Sequence, residues 1–187
     1  MTRIKAIYMS DLNGLIGIND TQPFHIPEDF KLFKQLTQDH IIVMGRKTYE
    51  AIIKLNGKPL KGRRQLILTH NLNYEPEGMD LNDPTAGVVS PIDSVAGVLK
   101  LAQFRNQSLF IIGGEEIYTL FEPILDEIYH TKVNTWVNLD DKEGHFAYYN
   151  PDLSQFTLMD TSEIKEFKDD SGNTINYEFL HYHRTTY

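Results

Sequence analysis

The sequence predicts an α/β fold, a mixed, mostly parallel sheet flanked by about four helices and closed at one edge by an antiparallel C-terminal hairpin. Three observations carry that prediction. Apolar strand-like runs alternate with helix-like segments from Ile4 to Val133. Two of these strands end on glycine and pass at once into a helix, at Gly45-Arg46 and at Gly113-Gly114. Beyond residue 155 the period changes to the every-second-residue alternation of antiparallel strands.

In chain order, Ile4 to Met9 reads as the first strand, ended by the turn signature Asp11-Leu12-Asn13-Gly14. A loop with Gly17, Pro23 and Pro27 follows. Pro27-Glu28-Asp29 has helix-start chemistry, with proline early and acids in the first turn, and Phe30, Phe33 and Leu36 recur behind it at helical spacing. His40 to Gly45 is a strand, Lys47 to Leu55 a helix, and Gln65 to Thr69 a strand. Asn71 to Pro91 is rich in Pro, Gly, Asn and Asp, so it reads as loop with one short strand near Gly87 to Ser90. Asp93-Ser94-Val95 opens a helix to about Phe104. Leu109 to Ile112 is a strand stopped by Gly113-Gly114, a helix carries Ile117, Tyr118 and Phe121, and Glu127 to Val133 is another strand. Phe156 to Phe167 and Ile175 to Arg184 form the closing pair, joined by Asp169-Asp170-Ser171-Gly172-Asn173. No repeat, low-complexity tract or linker interrupts 1–187, which reads as a single domain.

Composition narrows the function classes. A net charge of −8 argues against a nucleic-acid face, although a local cationic cluster can still hold an anion. Without cysteine, disulfides and thiolate metal sites are excluded, and redox chemistry needs a bound cofactor. No apolar run reaches about 18 residues and no basic-then-apolar leader is present, so a cytoplasmic protein that does not enter membranes is expected. The seven histidines show no HExxH or paired-ligand spacing, and no metal site is expected. Trp136, Tyr148 and Tyr149 are expected to pack the sheet edge, and Asp140 to Glu143 to form a solvated loop.

Ligands of such sheets bind outside the carboxyl ends of the strands, where three junctions converge: the loop after Met9, the Gly45-Arg46 turn and the Gly113-Gly114 turn. Arg46, Lys47 and Thr48 at a helix start add two cations and a hydroxyl to the unpaired N–H groups found there, a phosphate-type anion site. Asp29 and Phe33, spaced i, i+4, share one helical face. On a cleft they would set a carboxylate beside an aromatic wall and suit a flat, nitrogen-rich ring; alternatively Asp29 stabilises the helix start and Phe33 is core. The absence of GxGxxG leaves a Rossmann-type nucleotide site unsupported.

Taken in order, Gly14-Leu15-Ile16-Gly17, Ile26-Pro27-Glu28-Asp29-Phe30 with Phe33-Lys34, Val43-Met44-Gly45-Arg46-Lys47-Thr48-Tyr49-Glu50, Pro59-Leu60-Lys61-Gly62-Arg63, Leu66-Ile67-Leu68-Thr69, Ile111-Ile112-Gly113-Gly114 with Ile117-Tyr118, and Tyr129-His130-Thr131 resemble the dihydrofolate reductase family over nearly the whole chain. The resemblance implies reduction of 7,8-dihydrofolate to tetrahydrofolate with NADPH by a monomer. It implies a catalytic set of Asp29, Thr131 and Phe24, with Asp29 and the Thr131 hydroxyl holding the pterin 2-amino group and N3, and with a water giving N5 its proton. Ile7 and Ile112 would offer carbonyls near the pterin, beside Met9. Phe33, Ile52 and Leu60 would pack the aminobenzoyl ring, with Phe30 opposite, and Arg63 would bind the glutamate α-carboxylate as a fork. For NADPH it implies Arg46, Lys47, Thr69 and His70 at the adenosine end, and Thr48, Gly113, Gly114 and Tyr118 at the pyrophosphate and nicotinamide. Ile16, Gly17, Ile18, Gly45, Ile112, Glu115, Glu116 and Ile117 complete the cofactor set.

Four departures from the family pattern stand out. Phe24 replaces a tryptophan, Met9 replaces an alanine and would crowd the pterin pocket, Gln22 occupies the tip of the mobile loop, and the family's Gly-Asp-Thr is missing near Asp140 to Phe146. The neighbouring function is a reductase of the same fold acting on a related pterin or pyrimidine compound. Those enzymes lack the helix acid. A relative that keeps the nucleotide site but has lost catalysis is the more distant alternative.

Overall fold

The structure is a computed structural model that describes residues 2–71, 73–80, 86–92 and 94–185, with only the backbone of Phe104. Its strands are β1 (Ile4–Ser10), β2 (Leu15–Ile18), β3 (Ile41–Gly45), β4 (Arg64–Thr69), β5 (Gly87–Pro91), β6 (Leu109–Ile111), β7 (Glu127–Val133), β8 (Phe146–Tyr148), β9 (Phe156–Thr161), β10 (Lys165–Lys168) and β11 (Thr174–Arg184). The helices are α1 (Pro27–Thr37), α2 (Arg46–Asn56), α3 (Val95–Arg105) and α4 (Glu115–Phe121).

The main sheet runs β10-β11-β7-β1-β6-β3-β4-β5, with β9 also pairing β11. From β7 to β5 every pairing is parallel, and β11 enters antiparallel to β7. The central strands read as unbroken apolar runs because each must be buried on both faces. Ala6, Tyr8, Ile41, Val43, Leu66, Leu68, Leu109 and Ile111 face one side, where Val98 and Ala102 of α3 and Ile117 and Phe121 of α4 cover them. Their sequence neighbours Ile7, Ile42, Met44, Ile67 and Phe110 face the other side, against Tyr49 and Ile53 of α2 and Phe33 and Leu36 of α1. The carboxyl ends of β1, β3, β4, β6 and β7 lie along one rim between these helix layers.

Three sequence expectations need correction. Leu12 to His25 is not loop throughout, because Leu15–Ile18 forms β2 and pairs with Phe146–Tyr148 as a separate two-stranded sheet. These strands are too short for their alternation to register in the sequence. The run from Phe156 to Phe167 is broken into β9 and β10, and both pair with β11. Its regular alternation hid the break between them. Trp136 is 65% exposed rather than packed on the sheet edge, while Tyr149 is buried and stacks on Tyr118 at 4.7 Å. Asp93 lies outside the described residues, and α3 starts at Val95.

At the amino end of β7, the buried Glu127 is shared by several partners. Arg3 donates to its Oε1 at 2.9 Å, Tyr129 to Oε2 at 3.0 Å, and the Lys5 ammonium lies 3.2 Å from Oε2. Burial would raise this carboxyl, but Lys5 and the hydrogen bonds from His181, Lys5 and Tyr129 prevail and hold it at about 2.

Candidate active site

The acid on α1 is not a helix cap. Ile26 occupies the N-cap position with no side-chain cap bond, and the Asp29 carboxylate turns inward. There it accepts a 2.5 Å hydrogen bond from the Thr131 hydroxyl, which reaches it from β7. Both residues are buried, at 8% and 3% exposure. Burial raises the Asp29 carboxyl above its ordinary value of 3.8, and the Thr131 bond opposes part of that rise. A single buried acid without a cationic partner at hydrogen-bonding distance is costly to keep. Such a cost marks a functional group more often than a structural one.

The i, i+4 spacing places Phe33 on the same side of α1, where it packs with Ile7, Ile52, Leu60 and Ile112 on one apolar wall. Arg63 lies over the Phe33 ring with its guanidinium carbon 5.6 Å from the centroid. It donates to the Thr37 hydroxyl at 3.0 Å and to the Lys61 carbonyl at 3.1 Å. The Asp39 N–H and the Gln38 side chain both bond the Gly62 carbonyl, which fixes this corner against the end of α1. A cavity of ≈ 530 Å³ opens here, lined among others by Lys34, Lys58, Lys61 and Arg63. The mouth of the cleft is therefore cationic although the chain as a whole is acidic. Partial burial lowers the Arg63 pKa.

Met9 pairs in register with Thr131, but its side chain is buried with Ile26, Val133 and Tyr177, beneath the start of α1. Phe24 packs on that same cluster. Phe30, expected opposite that wall, has its ring 4.8 Å from that of His25. The Ile7 carbonyl already accepts a 2.8 Å bond from the Tyr118 hydroxyl.

The two strand–glycine–helix junctions come together as the sequence suggested. The Gly45 N–H donates to the Gly113 carbonyl at 2.8 Å, and neither α2 nor α4 has a side-chain cap. Gly113 and Gly114 are joined by a cis peptide bond. Little room remains around the glycines: a Cβ on Gly45 would meet Ile117 at 3.2 Å, one on Gly113 would meet Tyr118 at 3.2 Å, and one on Gly114 would lie 3.6 Å from the Thr48 hydroxyl. Uncapped N–H groups on an 11-residue helix, with Thr48 beside them, are donors suited to a phosphate-bearing cofactor.

Other residues of the expected cofactor set have neighbours of their own or are exposed. Arg46 pairs with Glu50 at 2.9 Å and lies 6.0 Å from the Tyr74 ring, while Lys47 is exposed. The Thr69 hydroxyl accepts from the Asn71 N–H. Glu115 accepts from the Tyr148 N–H at 3.4 Å, and Glu116 pairs with His70 at 3.0 Å. The carboxylates after Gly113-Gly114 are thus directed to neighbours on the rim. Ile16 packs into the core cluster beside α4, and Gly17 and Ile18 pair with β8.

Sequence reasoning missed three supporting sets of contacts. Buried Asp11 accepts from the N–H groups of Asn13, Leu15 and Val137, which anchors the base of the loop. The Asn19 amide donates to the Glu143 carbonyl at 3.0 Å and accepts from the His145 N–H at 2.9 Å. Gly144 has φ 119°, and a Cβ there would overlap Asn19 Oδ1, so only glycine fits. Here the side chain that joins the two loops comes from the loop after β1, the opposite side from the missing Gly-Asp-Thr. Finally, Glu28 accepts from the Tyr177 hydroxyl at 2.6 Å and pairs with Lys165 at 2.9 Å, which ties α1 to the C-terminal hairpin. Only the Asp11 turn carried a local sequence signal.

Comparison with known proteins agrees with this arrangement. The family model described as Dihydrofolate reductase matches residues 3–184. A dihydrofolate reductase of Bacillus subtilis is 31% identical over 181 residues, covering 97% of this chain and 94% of its own. One from Staphylococcus aureus is 32% identical over 178 residues, covering 95% and 96%. A solved structure of the Enterococcus faecalis dihydrofolate reductase, complexed with NADP(H) and RAB-propyl, superposes with a TM-score of 0.76 at 27% identity. It covers 98% of this chain and 97% of that one. An uncapped acid buried beside a threonine, and a paired glycine junction behind it, lie on a chain that belongs to the dihydrofolate reductase family.

Proposed function

We propose that this chain reduces 7,8-dihydrofolate to 5,6,7,8-tetrahydrofolate on the cleft between α1 and the β1–β7 rim, with NADPH as reductant. The observation that carries the reading is the Asp29–Thr131 pair, a buried acid bonded across to β7 rather than capping its own helix. NADPH supplies a hydride to C6 of the pterin. The chain's own residues orient the substrate, exclude water and place charge.

Asp29 is assigned the 2-amino and N3 edge of the pterin, where its charge stabilises the ring as N5 takes a proton from water. Thr131 fixes the carboxylate's direction. Phe33, Ile52 and Leu60 supply an apolar wall for the aminobenzoyl group, and Arg63 with the lysines around it supplies the counter-charge for the glutamate. Gly45, Thr48, Gly113 and Gly114 are assigned to the cofactor's pyrophosphate, and Arg46 and Lys47 to its 2′-phosphate once Arg46 leaves Glu50. Asn19 and Gly144 are assigned the role of holding the loop after β1 over the cofactor.

A cytoplasmic monomer is the setting proposed. Every group of the cleft comes from one chain, no cysteine is present, and no described helix is long and apolar enough to cross a membrane. Absorbance loss from NADPH, followed with and without dihydrofolate, tests the function. Oxidation that requires dihydrofolate and is weaker with NADH is expected; none with dihydrofolate, or equal use of NADH, overturns the reading.

A further inference from the structure

The two imidazoles His181 and His183 occupy alternate positions of β11, so both project from one face of the sheet. His183 pairs in register with Glu127 on β7, and His181 with Tyr129. Their Nε2 atoms lie 3.8 Å and 3.1 Å from Glu127 Oε2, and the three donor atoms all fall within 4.8 Å of one another. Four-coordinate zinc holds its ligands at about 2.0–2.1 Å, which sets neighbouring donors about 3.3 Å apart. The observed separations bracket that value.

We propose that His181, His183 and Glu127 form a binding site for a divalent transition cation of the zinc class, at the end of β7 remote from the reductase chemistry. The donor set, two imidazoles and one carboxylate, suits zinc, copper or nickel rather than calcium or magnesium, which take mostly oxygen. The site is partly prepared. The Tyr129 ring stacks on His181 at 4.1 Å and its hydroxyl bonds Glu127, so one residue orients two ligands. Both imidazoles keep part of their surface exposed, which leaves a path for an ion and for water ligands.

The competitor is Lys5, whose ammonium lies 3.2 Å from the same carboxylate oxygen. Its Nζ also lies 5.5 Å and 5.8 Å from the rings of Phe110 and Tyr129, contacts it can keep without the carboxylate. Arg3 stays on the other oxygen and keeps the carboxylate ionised. A bound cation would join β11 to β7, so it would stabilise the sheet. Thr131 is four residues along β7 from Glu127, about 13 Å at strand rise, so the ion would not touch the substrate acid. The sequence reading passed over the His181-x-His183 pair, and the carboxylate could not be seen beside it because a different strand contributes it.

The test uses the full chain without an affinity tag, stripped with EDTA and titrated with zinc chloride by calorimetry. One equivalent is expected in the micromolar range, with a rise of roughly 5–10 °C in Tm at about hundredfold excess of zinc over Kd. His181→Ala and His183→Ala should each weaken binding by about tenfold or more. Lys5→Met should tighten it severalfold, a gain that misfolding cannot produce. Cobalt(II) should give a visible band in the parent and none in the His183→Gln variant. No zinc binding up to millimolar concentration, or parental affinity in the double histidine variant, overturns the proposal. Dihydrofolate-dependent NADPH oxidation by the same preparations is read separately, so failure of the metal site leaves the reductase assignment standing.

Discussion

Replacing Asp29 with asparagine keeps the shape of the side chain and an acceptor for Thr131 but removes the charge. Two carboxylate oxygens facing an amino group and a ring N–H would make two charge-assisted bonds, each worth about 1.5–3 kcal/mol against about 1 for a neutral bond. Losing one such bond and weakening the other costs roughly 3 kcal/mol. At 1.36 kcal/mol per decade this is about 10²-fold in kcat at neutral pH. NADPH affinity should stay within a few-fold, and activity should recover in part at low pH, where the substrate arrives protonated. The same substitution should act in the opposite direction on stability. Burial raises the Asp29 pKa above 3.8 in the folded chain, so this group favours folding below the unfolded value. That contribution is lost as pH rises through the folded pKa, and at neutral pH the buried anion is a net cost. The ligand-free Asp29→Asn variant should therefore melt higher than the parent at pH 7, with the gap closing as pH falls through the raised folded pKa towards 3.8. Steady-state kinetics across pH and thermal melts of the ligand-free protein check both halves. A variant with parental kcat, or one that melts lower at neutral pH and no differently in acid, would refute the reasoning.

Arg63→Lys should raise KM for dihydrofolate and leave KM for NADPH nearly unchanged, because a point charge replaces a fork already aligned over Phe33; equal effects on both substrates would make Arg63 structural. Arg46→Ala with Lys47→Ala should reduce the ratio of kcat/KM for NADPH over NADH by tenfold or more, at about 1.5–3 kcal/mol per charge-assisted bond before screening. An unchanged ratio would show that Arg46 stays on Glu50 with cofactor bound. Asn19→Ala should raise KM for NADPH and speed amide exchange between Leu12 and His25, while leaving the Asp169–Asn173 turn alone. Cofactor should slow exchange in that loop in the parent, and no change there would count against a lid.

Much of the fold was legible because the central strands are parallel and buried on both faces, so their apolar runs stand out against the glycines that end them. Gly45 and Gly113-Gly114 marked both junctions: Gly45 ends β3 directly before α2, and Ile112, Gly113 and Gly114 alone separate β6 from α4. Asp29 was legible only as one of two possibilities. Helix periodicity set it beside Phe33, but whether it capped the helix depended on Thr131, 102 residues away. The Asn19–Gly144 contact, the Glu28–Tyr177 bond and the break between β9 and β10 left no local trace. Each is decided by a partner more than 10 positions distant or by the geometry of β11. Arg46 was readable as a cation, and its pairing with Glu50 is the ordinary i, i+4 contact along α2.

The position of β1 between β6 and β7 has a consequence for how the chain must be made. The first strand synthesised is the central one, and its neighbours are more than 100 residues downstream: Ala6 pairs with Ile111 and Ile128. A ribosome-bound chain therefore carries Ile4–Ser10 with both edges open until most of its length has emerged. β11, which covers the other edge of β7, is the last strand of the sheet to be made. High sequence separation of this kind slows folding and leaves apolar strands available to other chains. Truncation near the C-terminus should accordingly show first as aggregation during synthesis, before any loss of affinity in the cleft is measurable.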